Sequence, residues 1–232
     1  MKNIPILFLI TFLFSCNQSN KENNSQIKYF PLETGSYWIY SGTIETTINT
    51  SLIQKEIIWK MEVIETIRRG EITGYSMKGY PSDLSWYKDD QAPSIYSIIQ
   101  IGDNKFYKSG IETYERIENQ ADNLDNLVEE RQLIFIFPLS KVNKYCPTED
   151  INRSDSWYCW IVGKDTESIN WEIIGLQEDN SLMPYSLTFM TGPDRESIQF
   201  VEGLGITKYI YSHHGTISNV YVKLVEYHAG IK

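Results

Sequence analysis

The stretch "ITKYIYSHHGTISNVYVKLVEY", residues 206–227, decides the fold class. Its first arm is rich in Ile, Thr and Tyr. The second alternates Val220, Val222, Leu224 and, if the phase continues, Glu226 against Tyr221, Lys223, Val225 and Tyr227. A period of two belongs to a strand with one buried face, because successive side chains point to opposite sides of a sheet. His213-His214-Gly215-Thr216 separates the arms as a polar reversal, so the segment predicts an antiparallel hairpin.

The same signature recurs throughout the N-terminal half. "GSYWIYSGTIETTINT" (35–50) and "QKEIIWKMEVIETIRRGEITGYSMKGY" (54–80) alternate apolar with polar residues. The second carries a reversal at Arg69-Gly70-Glu71, where glycine supplies the positive φ of a tight turn. "SIYSIIQIGDNKFYKSG" (94–110) reads as a further hairpin turning at Gly102-Asp103-Asn104. Aromatic residues make up 13% of the chain, a usage suited to pleated, half-buried surfaces. One segment departs from this pattern. "ENQADNLDNLVEERQL" (118–133) sets Leu124, Leu127, Val128 and Arg131 at i, i+3, i+4 and i+7, a helical stripe on an acidic background, with a loop as the alternative. The expected fold is all-β and mainly antiparallel: a curved sheet, sandwich or partly open barrel with at most one or two short helices.

The beginning of the chain follows a different logic. Met1-Lys2-Asn3 precedes "IPILFLITFLF" (4–14), which is shorter than the roughly 20 residues of a bilayer span but matches the apolar core of a secretory signal. It ends Leu13-Phe14-Ser15-Cys16, which resembles the lipobox of bacterial lipoproteins. That resemblance implies cleavage before Cys16 and a diacylglyceryl group on its thiol. "NQSNKENNSQ" (17–26) has no apolar residue to place in a core and reads as a tether. The expected organisation is a signal peptide over 1–15, a lipid-anchored flexible tether over 16–28 and a single β-rich domain over 29–232. Cys146 and Cys159 remain. In an oxidising compartment they form a disulfide that closes a polar loop, two reduced thiols being the alternative. No second pair exists to complete a zinc site.

"YFPLETGSYWIY" (29–40) is echoed by "FIFPLSKVNKYC" (135–146) leading to "DSWYCWIV" (155–162), each running from a Phe-Pro-Leu unit to a Trp-bearing strand. The echo reflects either a structural duplication or two similar ways of entering a sheet. The first of these segments, taken with "FVEGLGITKYIYSHHG" (200–215), resembles a widespread group of uncharacterised bacterial lipoproteins. Members open with F-P-L-x-x-G-x-x-W-x-Y and carry a G-[LV]-G-[IL] segment leading into the last hairpin. The resemblance implies an exported, lipid-anchored β protein and brings no chemistry with it.

A formal net charge of −9 repels phosphate backbones, so nucleic acid is disfavoured as a partner. The lipoprotein resemblance implies that the N-terminal acyl chains carry the membrane attachment, so the domain is expected in the cell envelope at the outer membrane. His213-His214, with His228 across the hairpin, would point to opposite faces of a strand, which argues against a shared metal. Glu129-Glu130, Asp89-Asp90 and Glu178-Asp179 read as solvated acid pairs, and "TGPDRES" (191–197) as a turn. No G-x-S-x-G elbow, H-E-x-x-H, phosphate loop or dinucleotide fingerprint appears, so neither a catalytic residue nor a cofactor is expected. The leading expectation is a non-enzymatic envelope component that binds a partner protein or supports an assembly. A carrier of lipid or another apolar ligand is the second reading. A glycan-binding module, with Trp86, Tyr87, Trp157 and Tyr158 as stacking rings, is the third. Aromatics lining a cavity would favour the carrier, an exposed row the glycan module, and two acids converging in a cleft an enzyme.

Overall fold

The 206–227 segment folds back as its alternation predicts, with Lys208 opposite Lys223 and His213 opposite Ser218. Its arms are the last two of twelve strands in the computed structural model, which describes residues 29–48, 51–88, 91–147, 154–172, 174, 176–177, 182–214 and 218–230. Cys16, the leader and the tether up to residue 28 lie outside the described residues, as do Asp89-Asp90 and Glu178-Asp179. The strands are β1 (Tyr37–Ile48), β2 (Ser51–Arg69), β3 (Ile72–Lys78), β4 (Ile95–Ile101), β5 (Lys105–Gly110), β6 (Leu133–Ile136), β7 (Lys144–Tyr145), β8 (Trp160–Lys164), β9 (Pro184–Met190), β10 (Asp194–Val201), β11 (Gly205–His213) and β12 (Ser218–His228). One α-helix, α1 (Ile111–Glu118), and three short 3-10 turns complete the described elements.

All twelve strands form one antiparallel sheet in the order β6-β5-β4-β3-β2-β1-β12-β11-β10-β9-β8-β7. The chain therefore makes two six-stranded meanders, β1–β6 and β7–β12, and unites them through the β1–β12 ladder. Strand order repeats with a period of six, and each half is headed by one Phe-Pro-Leu unit of the sequence echo. The two units meet in space: the Tyr29 ring stacks on Phe137 at 5.1 Å.

The sheet curls until its edges approach. The Tyr145 hydroxyl on β7 donates to the Ile134 carbonyl on β6, and Phe135 of β6 packs on Phe200 of β10 with centroids 4.9 Å apart. Side chains fill the interior, Trp38, Tyr40, Met61, Met77, Ile98, Phe135 and Phe200 being among the fully buried. Burial of each such side chain stabilises by roughly 1.5–3 kcal/mol relative to exposure. Phe30 closes one end, packing against Trp38, Phe106, Phe135 and Phe200.

Two expectations change. Residues 119–129 carry no helix, and the helix lies just before them at Ile111–Glu118, burying Thr113, Tyr114 and Ile117. The reason is local. Asn119, Asp122 and Asn123 turn their side-chain oxygens onto the backbone N–H groups of Ala121, Leu124 and Asp125, which competes with helical bonding. Arg116 and Arg69 then hold Asp122 and its neighbouring carbonyls in place. In β12 the alternation slips, because Ile39 pairs with Glu226 while Tyr40 pairs with Leu224. This bulge turns Tyr227 toward Trp38, at 5.4 Å between centroids, and sends Glu226 outward to accept from the Tyr37 hydroxyl at 2.7 Å.

Cys146 and Cys159 form a disulfide, with Cα atoms 4.1 Å apart, that clips β7 to β8 at the sheet edge. On the outer face of the second half, Glu167 straps the loop after β8 to the sheet. Its two carboxylate oxygens accept from Lys208 and Lys223, each at 2.6 Å.

Candidate functional site

Between β3 and β4 the chain turns into the curled sheet instead of closing a tight hairpin. Pro81 opens the 3-10 turn Pro81–Trp86, where a missing N–H costs nothing. Trp59 Nε1 donates to the Gly79 carbonyl at 2.8 Å, fixing the way in. The turn is then held against the second half of the sheet. Ser85 Oγ lies 2.9 Å from the Tyr209 hydroxyl, and Ser218 Oγ donates to the Ser85 carbonyl at 2.9 Å. These bonds satisfy polar groups that would otherwise be orphaned in the interior.

Above this wedge lies a cavity of about 240 Å³ lined by residues that include Ser85, Trp86, Thr191, Asp194, Glu196 and Tyr211. It opens at the end of the sheet opposite Phe30, where Asp194 begins β10 and His213 ends β11. Trp86 is 59% exposed, yet its indole is braced edge-on by His213 at 5.0 Å and Tyr211 at 6.1 Å. The ring is thus both accessible and fixed in orientation.

Asp194 and Glu196 stand two residues apart on β10, so both project to the same face. Their environments differ. Burial pushes Asp194 upward, but bonds from His213 Nδ1 (2.8 Å), the Tyr211 hydroxyl (2.6 Å) and the Thr191 hydroxyl (3.2 Å) outweigh it and hold the carboxyl below its ordinary value. Burial dominates at Glu196 and pushes it up to about 7, against the opposing effects of Lys108 and a hydrogen bond from Tyr209. Lys108 is drawn below its ordinary value by burial, donates to Ser82 Oγ at 2.7 Å and lies over the Tyr80 ring at 4.8 Å. One carboxyl keeps its charge while its neighbour keeps its proton toward neutrality, the division of labour that acid–base chemistry uses.

A scan against protein-family models and a search of curated proteins both return no match.

Of the four rings singled out from the sequence, Trp86 lines the cavity. Trp157, 37% exposed, stands at the same end: its ring lies 3.9 Å from where a Cβ on Gly192 would be, beside the cavity-lining Thr191. Tyr158, in the same loop, is half-buried and donates its N–H to the Met190 carbonyl at 2.8 Å. Tyr87 turns away, half-buried against Trp59 at 6.1 Å with Lys55 Nζ 5.1 Å above its ring. The three histidines are dispersed. His213 joins Asp194, His214 is exposed in the turn, and His228 stacks on Tyr37 at the far end of β12. Among the described residues no three His, Cys, Asp or Glu side chains gather as a metal site. Sequence reading missed Asp194 and Glu196 because Gly192-Pro193 marks a turn. The available signal was Asp-x-Glu at strand spacing immediately after that turn.

Proposed function

We propose that this is a lipid-anchored cell-envelope protein that captures a saccharide at the mouth of its curled sheet. The observation that carries the reading is Trp86, an exposed indole held rigid above a cavity walled by carboxyl, hydroxyl and aromatic groups. A fixed apolar ring face suits the C–H face of a pyranose, and the convergent polar groups suit its hydroxyls. Preorganisation lowers the ordering cost of binding. Aromatic rings do line the cavity, as a carrier would require, but Ser82, Ser85, Thr191, Asp194 and Glu196 share its wall and side chains occupy the interior that an apolar ligand would need, so the carrier reading loses support. Anchoring at Cys16 by two or more acyl chains would hold the domain to the membrane.

The full chain in detergent, applied to a glycan array, should bind a defined subset of saccharides. Trp86→Ala should abolish that binding, whereas Ile58→Ala on the outer face, 77% exposed, should leave it intact. An array with no saccharide above background overturns the reading. Replacing Cys16 by Ala should move the protein from the membrane to the soluble fraction and remove the acyl mass. Retention of both refutes the anchor.

A partner-protein reading is favoured by a separate observation: Leu52, Ile53 and Ile58 leave large apolar surface exposed along the first half of β2. Cross-linking in cells from that strand tests it.

A further inference from the structure

We propose that the cavity hydrolyses the saccharide it binds, with Glu196 as general acid and Asp194 as general base of an inverting glycosidase. The proposal rests on the saccharide reading of the same site.

Glycoside hydrolysis by inversion needs a proton donor beside the leaving oxygen, a carboxylate beside an attacking water, and room between them for that water. Alternate residues on one strand face stand about 6.8 Å apart. That is the spacing of the Cα atoms; from it the unequal reach of Asp and Glu lets the two carboxyl groups stand in the roughly 6.5–9.5 Å range of an inverting pair, the assignment that the anomeric test decides. Both side chains border the cavity, and Trp86 supplies a platform that can fix the sugar ring against them. Glu196 is suited to hold the proton, being half-buried and pushed up to about 7. Asp194 is suited to remain ionised. Its Oδ1 accepts from Tyr211 and His213, while its Oδ2 accepts from Thr191 only among the described residues, and the side chain is 33% exposed. A carboxylate oxygen has two lone pairs, so Oδ2 can still take a proton from water.

The step balances without a further reactant. Water attacks the anomeric carbon and gives one proton to Asp194. The glycosidic C–O bond breaks, and the leaving oxygen takes the Glu196 proton. Two free sugars result, and proton exchange with solvent returns both carboxyls to their starting states. The groups facing Glu196 are Lys108 from β5, Asp194 on its own strand, and Tyr209 and Tyr211 from β11, with Tyr80 and Tyr145 also sensing its charge. Among them Lys108 and the hydrogen bond from Tyr209 favour ionisation of Glu196, and Asp194 opposes it. Activity should therefore decline as pH rises through about 7.

The test uses the full chain in detergent with oligosaccharides drawn from the array-positive set, and with 4-nitrophenyl glycosides of the same sugars. New reducing ends should appear, and NMR should show the anomeric configuration inverted. Glu196→Gln should lower oligosaccharide turnover by about 10²–10⁴-fold, but slow 4-nitrophenyl release far less, because that leaving group needs little protonation. Asp194→Asn should slow both substrates. The leaving-group contrast separates proton donation from mere structural support. Saccharide bound but recovered intact overturns hydrolysis while leaving the binding reading standing. An empty array overturns both. Equal loss on both substrates in Glu196→Gln overturns its role as acid, and retained configuration overturns the inverting assignment.

Discussion

The Trp38 indole N–H donates to the Leu204 carbonyl at 2.7 Å, joining residues 166 positions apart in the sequence. Tyr40 repeats the arrangement two residues on, its hydroxyl donating to the Ile206 carbonyl at 3.0 Å. Between the two acceptors sits Gly205 at φ +101°, where an added Cβ would lie 2.9 Å from the Phe30 ring and 3.1 Å from the Trp38 nitrogen. Gly205→Ala should therefore destabilise by roughly 2–4 kcal/mol, combining overpacking with a disfavoured backbone region. Urea unfolding checks this, and a change below 1 kcal/mol would contradict the packing described.

Removing the edge clip should also be costly. The double replacement of Cys146 and Cys159 by Ser frees a loop whose closure contributes about 3 kcal/mol in the chain-entropy view. Chemical denaturation of the variant, compared with reduced wild type, should give the same loss for both.

Glu196 predicts an unusual pH dependence. Its folded value is raised to about 7 from an ordinary 4.5, so the fold retains a proton that the unfolded chain releases. Stability from this group is complete below 4.5, declines as pH rises toward 7, and stays lost above. At about 1.4 kcal/mol per unit the change amounts to at most roughly 3.5 kcal/mol. Glu196→Gln should flatten that part of the stability–pH profile and make the variant the more stable form in mild alkali.

The strap on the outer face has the opposite sign. Lys208 and Lys223 lower Glu167 from 4.5 to about 2, so its contribution is present above 4.5 and disappears as pH falls toward 2. With 44% of the side chain exposed, solvent screening keeps the two ion pairs to about 1 kcal/mol or less. Glu167→Gln should cost that amount in dilute buffer near neutrality and almost nothing in high salt, as thermal melts at the two ionic strengths would show.

Periodicity made the hairpins around Gly70, 102–104 and 213–216 legible, because each face of those strands meets one environment. It failed where the backbone changes phase: the bulge opposite Ile39 and Tyr40 exchanges the sides of Glu226 and Tyr227. Over 118–133 it leaves helix and loop open; the Asx turns decide for the loop, and the helix forms just before them. The exposed Trp86 was visible as a ring in a polar context. The inward course of Pro81–Trp86 was not, because its partners, Tyr209 and Ser218, are more than 120 residues away. Asp194 and Glu196 become a pair only once β10 is known to turn that face toward the interior.

The ladder between β1 and β12 governs the order in which this molecule can assemble. The β1–β6 meander can pair strand by strand as it emerges, but the innermost flank of β1 finds its partner only when residues 218–228 exist. Contacts of such sequence separation slow folding, because loop closure must precede the interactions that reward it. Phe30 and Trp38 must wait as well, since Phe200 and Leu204 belong to the other half. A chain cut before Ser218 would keep most of its hairpins and lose the junction between them.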